Sequence, residues 1–188
     1  MLSILAVSLF CLHRPTRQTA LVFAKAHKEF YRFLSAALVH ADILHLLANT
    51  FTFYWFADQV EHQLAIKWGS WGKWWFSLLF WGAIAMSNFL WKYNRFSTQN
   101  SFGCSAGTAS IIATHILYSP TYQLCISFLC MPSFVAAILF CFYIYYERNR
   151  FHFIAQQWIV GTVFGVLLAF LLKPSSLWDF LITLFTGN

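Results

Sequence analysis

Gly103-Cys104-Ser105-Ala106-Gly107 is the stretch on which the reading of this chain turns. It sets one hydroxyl among small residues in a sequence made mostly of membrane-length apolar segments. Gly103 lets the backbone turn tightly and bares amide N–H groups. Ala106 and Gly107 let a second helix or a substrate backbone come close to the hydroxyl. Read literally, the pattern is Gly-x-Ser-x-Gly, the nucleophile elbow of soluble hydrolases, but that elbow needs a strand before the serine and an α/β chain around it. Neither is legible here. Two readings of Ser105 therefore stand side by side: a nucleophile, or part of a small-residue packing face at the top of a membrane helix.

Hydrophobic residues make up 60% of the 188, aromatic residues 21% and charged residues 10%. That balance leaves too little polar surface to cover a soluble core. The chain reads as all-α and polytopic, a multi-pass integral membrane protein with the lipid bilayer as its first partner. Its net charge of +6 comes from Lys and Arg placed mostly between apolar runs, where they meet headgroups, so it reads as interfacial charge and not as a nucleic-acid footprint. Cys11, Cys104, Cys125, Cys130 and Cys141 lie in or beside apolar runs without metal-ligand spacing and read as small buried hydrophobes. No metal or cofactor is expected. The apolar start lacks a basic stretch before it and a small-x-small site after it, so no cleavable signal is expected.

In chain order, residues 1–12 are apolar but shorter than the roughly 20 residues a hydrocarbon core requires, giving a short or incomplete first helix. Residues 13–32, with Pro15, form a polar, basic connection. A second helix is predicted over 43–57, a third over about 74–91, a fourth from Ser105 to about Tyr118, a fifth over 133–146 and a sixth from about 153 to 172. Ser119-Pro120, the charged run 147–150 and Lys173-Pro174 are the stops. Residues 174–188 form a tail that carries Trp178 and Phe180 and is expected to lie in the interface. No repeat and no second domain is visible, so residues 1–188 read as one membrane domain of six helices.

Polar groups inside membrane helices are costly, so each raises a functional question. His45 and Asn49 stand four residues apart, which stacks imidazole and carboxamide on one helix face as two donors aimed at one place. That arrangement suits a developing oxyanion. It equally suits a hydrogen-bond clamp between helices.

Taken together, these residues resemble the rhomboid family of intramembrane serine proteases, over roughly Glu29 to Gly165. Tyr31-Arg32 is similar to the aromatic-Arg pair of that family's first loop. His40, His45 and Asn49 fit its His-x4-His-x3-Asn signature on helix two, with Glu61 just after that helix as its acidic residue. Gly103-Cys104-Ser105-Ala106 fits Gly-x-Ser-small on helix four, and Gly161 and Gly165 fit the Gly-x3-Gly of helix six, which lets helices four and six pack closely. The resemblance implies that Ser105 attacks a scissile peptide bond, that His45, Asn49 and the backbone N–H around Ser105 hold the oxyanion, and that His40 and Arg32 brace the first loop. The implied partners are transmembrane protein substrates or clients.

One position departs from the family pattern. A serine hydroxyl needs a base to take its proton, and the resemblance places that base three residues before Gly161, where this chain has Trp158. An indole N–H only donates. Loss of the base from a serine–histidine unit leaves about 10³- to 10⁴-fold catalysis over water. His152 is an alternative base, but it lies six residues earlier, about 9 Å along a helix, and would require Ala155 and Ile159 to stand at the glycine positions. His115 lies ten residues below Ser105 and reads as a core histidine. Gln156 and Gln157 could order a water, yet neither is a base at neutral pH.

Two functional readings follow. One is a rhomboid-type intramembrane serine endopeptidase scaffold that cleaves membrane-anchored proteins through Ser105, impaired by the missing base. The other is a non-catalytic rhomboid pseudoprotease that binds transmembrane helices. A haem-binding or transport bundle finds no pair of histidines facing each other at matching depth. For orientation, the positive-inside rule puts the connections bearing most Lys and Arg, including Arg14, Arg32, Lys92, Arg95, Arg148 and Arg150, in the cytoplasm. The resemblance puts that side, with the active-site mouth, outside, and is followed here.

Overall fold

The computed structural model describes residues 2–14, 19–23, 29–93, 100–126, 129–148 and 152–186, and only the backbone of 126, 129, 137, 140, 143, 144, 146–148, 152 and 153. Pro15, Arg95 and Arg150 lie outside it. The chain is mostly helical. Helix α1 (Leu2–His13) is followed by a short α2 (Arg32–Ser35) that tightens into a 3-10 turn over Ala36–Leu38. Asp42 then starts α3 (Ile43–Trp68): its backbone is extended and its carboxylate accepts the N–H of His45 at 2.7 Å, supplying one of the first-turn acceptors a helix lacks.

Helix α3 runs well past the predicted stop at Ala57. Asp58, Gln59, Glu61, His62 and Gln63 interrupt the apolar pattern but do not break a helix; the break comes at Gly69, whose φ of 55° only glycine adopts freely. Glu61, expected just after the helix, therefore sits within it. There, with Asp58, Tyr122 and Gln123, it lines a cavity of about 910 Å³.

The predicted third helix is observed as α4 (Gly72–Ser77), a π-helical turn over Leu78–Gly82 and α5 (Ala83–Tyr93). Helix α6 spans Ser105–Tyr118, as predicted. The apolar stretch after it is an antiparallel hairpin, β1 (Gln123–Ile126) and β2 (Leu129–Pro132), in which Cys125 faces Cys130 and the two form a disulfide. This corrects the reading of these two cysteines as buried hydrophobes. A four-residue apolar run carries no helical or strand period to identify it, and the pairing depends on the hairpin register. Cys11 and Cys104 are buried free thiols, whereas the free Cys141 is exposed. Helices α7 (Ser133–Arg148) and α8 (His152–Leu172) follow, and the tail forms α9 (Ser176–Thr186). Lys173 Nζ lies 2.8 Å from Asp179 Oδ2 at the start of α9, and this bond holds the carboxyl below its usual range.

Helix α6 is the centre of the packing: nearly every residue along it is buried. Helix α8 lies parallel to it. Gly161 meets the backbone of Ala106 and Gly165 the backbone of Ser110, four residues on in each helix, while Tyr118 Oη donates to Ala169 O at 3.0 Å. A Cβ at either glycine would overlap the facing carbonyl, so the close approach depends on their having no side chain. The hydroxyls of α6 are satisfied internally, as a low-dielectric setting demands: Ser110 Oγ reaches Leu79 O at 2.7 Å and Thr114 Oγ1 reaches Ser110 O at 2.9 Å.

The outer faces are apolar, with Leu44, Leu47 and Phe51 of α3 and Val163, Leu167 and Leu171 of α8 exposed. Among the described residues, Ile154–Leu172 is long and apolar enough to cross a membrane alone, and Arg32–Leu38 with Ile43–Tyr93 qualifies as a pair bent by 97°.

Candidate active site

Local sequence brings three side chains to one point. The Asp42 cap sets the start of α3, so His45 lies in its first turn and Asn49 one turn later on the same face, both buried. Gly103, at φ 98°, donates its N–H to Ala36 O at 2.8 Å and pins the chain entering α6 to the 3-10 turn. A Cβ there would come within 2.8 Å of His45 Cε1, so this glycine is also where the imidazole edge rests. Ser105 is the first residue of α6. Because the first hydrogen bond of α6 runs from Thr108 N to Cys104 O at 3.0 Å, the N–H groups of Ser105, Ala106 and Gly107 precede the hydrogen-bond ladder, at the positive end of the helix.

The hydroxyl of Ser105 lies 2.8 Å from His45 Nε2, and Asn49 Nδ2 donates to it at 3.2 Å. Asn49 Nδ2 also donates to His45 O at 3.0 Å. Ser105 and Asn49 have no exposed surface, and His45 keeps only a small exposed edge. The i, i+4 pair on α3 and the serine on α6, read separately along the chain, thus meet.

His40 stands behind this group. Its ring is 5.0 Å from that of His45, centroid to centroid, its Nδ1 lies 2.9 Å from Ser8 Oγ and its Nε2 3.4 Å from Cys104 Sγ. Ser8 Oγ donates to Leu38 O at 2.7 Å. Its one hydrogen is thereby used, and His40 Nδ1 is the donor to Ser8. Arg32 Nη1 donates to Thr19 O at 2.9 Å and Val22 O at 3.0 Å, and its Nε lies 3.3 Å from Glu29.

On α8, Trp158 is buried on the face that carries Gly161 and Gly165. Given the parallel register, it lies level with the segment that leads into Ser105. Ile159 is 57% exposed and the glycines occupy the contact with α6, so the shifted register that His152 would need is not the one observed. His152 opens α8, and its side chain lies outside the described residues. Gln157 donates to Ser101 Oγ at 3.0 Å, Ser101 Oγ donates to Asn88 Oδ1 at 2.6 Å, and Asn88 Nδ2 donates to Phe33 O at 2.8 Å. Gln157 therefore ties α8 to the segment before Ser105. His115 Nε2 lies 3.0 Å from Ser133 Oγ, at the far end of α6. Ser8, Asn88 and Ser101 were missed by sequence reasoning. Serine and asparagine among apolar residues give no sign of a partner tens of positions away.

The family model for the Rhomboid domain matches residues 27–175. The chain belongs to the rhomboid family, whose members are integral to membranes and act on transmembrane proteins within the bilayer. Comparison with curated proteins and with solved structures gave no match.

Proposed function

We propose that this protein is a multi-pass, six-helix rhomboid-type intramembrane serine endopeptidase scaffold in which Ser105 is the nucleophile and membrane-anchored proteins are the substrates. One observation carries the reading: the Ser105 hydroxyl lies at a helix N-terminus within hydrogen-bonding distance of both His45 Nε2 and Asn49 Nδ2. Donors fixed in a dry site act on developing negative charge without reorganisation, and each such donor is worth about 10²- to 10³-fold in rate. Asn49 Nδ2 and the first-turn N–H groups of α6 are donors available to an oxyanion formed at Ser105, and His45 joins them when its Nε2 carries a proton. Gly161 and Gly165 hold α8 against α6, while Arg32 and His40 brace the first loop and α1 against the site.

Trp158 favours a second reading, a pseudoprotease that binds transmembrane helices and cuts none. An indole at the place of the family's base cannot take a proton from Ser105. The two readings separate in proteoliposomes holding a single-pass reporter. Product that appears with the wild type and not with Ser105→Ala supports the protease. Reporter bound equally by both proteins and cleaved by neither supports the pseudoprotease.

A further inference from the structure

We propose that His45 is the proton acceptor for Ser105, so that the base of this site stands on α3 and not on α8. The inference rests on the reading of Ser105 as the nucleophile and goes beyond it, since that reading leaves the serine without a base.

The hydrogen-bond count at Ser105 carries the argument. Asn49 Nδ2 lies 3.0 Å from the carbonyl oxygen of His45. A carboxamide oxygen in that place would face another oxygen, so the amide orientation is settled and the atom 3.2 Å from Ser105 Oγ is a donor. Ser105 Oγ accepts that bond. Its own hydrogen then needs an acceptor, and His45 Nε2, at 2.8 Å, is the acceptor in reach among the described groups. If Nε2 carried a proton, two donors would converge on Oγ and a buried O–H would be left unpaired, which is unfavourable in a low-dielectric interior. The tautomer with Nδ1 protonated leaves Nδ1 without a partner, but that nitrogen is unpartnered in either tautomer. The count therefore favours an unprotonated Nε2 facing the hydroxyl, which is the arrangement a general base requires.

The reaction balances on these groups. As Ser105 Oγ bonds to the scissile carbonyl carbon, its proton passes to His45 Nε2 and the carbonyl π pair moves onto oxygen. Asn49 Nδ2–H, released from Oγ, and the first-turn N–H groups of α6 then face that oxygen. Collapse of the adduct breaks the C–N bond, and the leaving nitrogen takes the proton from Nε2. Water adds to the acyl carbon, its proton passing to Nε2, and Oγ leaves with that proton. No carboxylate is bonded to His45 Nδ1 among the described residues, so the unit is a dyad.

The test uses the full chain in detergent and reads the rate at which a fluorophosphonate attaches to Ser105, by intact mass. Ser105→Ala sets the background, and retained binding of a transmembrane peptide checks that each variant is folded. Under the proposal the wild type is labelled, and His45→Gln, which keeps a neutral side chain of similar reach but has no basic nitrogen, is labelled about 10²- to 10⁴-fold more slowly. Labelling of His45→Gln at the wild-type rate overturns the proposal. An inert wild type with a reactive Trp158→His overturns it too, while leaving Ser105 as the nucleophile of a scaffold that lacks its base. Inertness of both, with peptide still bound, removes the nucleophile reading and the proposal with it.

Discussion

The backbone of Gly161 rests on the carbonyl of Ala106, the residue after Ser105, so the distance between α8 and α6 is set by a missing side chain. Gly161→Val should strain this contact, lowering unfolding stability by about 1–3 kcal/mol, as overpacking does elsewhere. Thermal unfolding in micelles would show it. Val163→Ala, on the outer face of α8 where the side chain is 52% exposed, is the control expected to stay within about 0.5 kcal/mol of wild type. Equal melting of all three proteins would mean that the helices do not pack in this register.

Asn49 donates to both Ser105 Oγ and His45 O. Under the proposed function, replacing it with Ala removes a donor that acts on charge present only in the transition state. The turnover number for a cleaved reporter should fall about 10²- to 10³-fold, with KM little changed. A rise in KM at constant turnover would assign Asn49 to substrate binding instead.

Gly103 supports the imidazole edge and holds a backbone conformation that side chains resist. In Gly103→Ala the new methyl displaces the His45 ring. A shift of about 1 Å costs about 10²-fold in rate, so fluorophosphonate labelling should slow by that order while a transmembrane peptide still binds. Unchanged labelling would show that the ring position does not matter.

The Cys125–Cys130 disulfide closes a short hairpin loop between α6 and α7. Alkylation of the denatured, unreduced protein should add three groups, at Cys11, Cys104 and Cys141, and five after reduction. Addition of five without reductant would rule the bridge out. Loop-closure entropy for so small a ring puts its contribution at about 2 kcal/mol, to be read as the melting difference between wild type and Cys125→Ser/Cys130→Ser.

His115 lies ten residues along α6 from Ser105, about 15 Å at the helical rise, and is bonded to Ser133 at the start of α7. His115→Ala should leave labelling within about twofold while lowering stability by about 1–3 kcal/mol, because it removes a buried ring packed against Phe56 and Tyr122 and leaves a cavity. A large loss of labelling without a loss of stability would implicate this histidine in the chemistry.

Much of this was legible along the chain because it depends on near neighbours. The i, i+4 spacing of His45 and Asn49 puts both on one helical face whatever surrounds them. Gly103 before Ser105 and Ser119-Pro120 after Tyr118 delimit α6 by backbone conformation alone, and the predicted span is the observed one. Small residues at 161 and 165 announce a close contact. The apolar composition announces a molecule without a water-facing shell.

What the tertiary structure decided is pairing between distant segments, which no local pattern encodes. Sequence left Ser105 between nucleophile and packing residue; the fold put its hydroxyl 2.8 Å from a ring sixty positions away. It joined Ser8 to His40 and Gln157 to Ser101, and it turned an ambiguous apolar run into a disulfide-closed hairpin. It also carried α3 through the polar residues after Ala57, because a helix ends where its backbone can no longer propagate and not where its hydropathy falls. Backbone propensity and periodicity act over a turn or two and can be read in one dimension, whereas a hydrogen bond between two helices exists only once packing has brought them together.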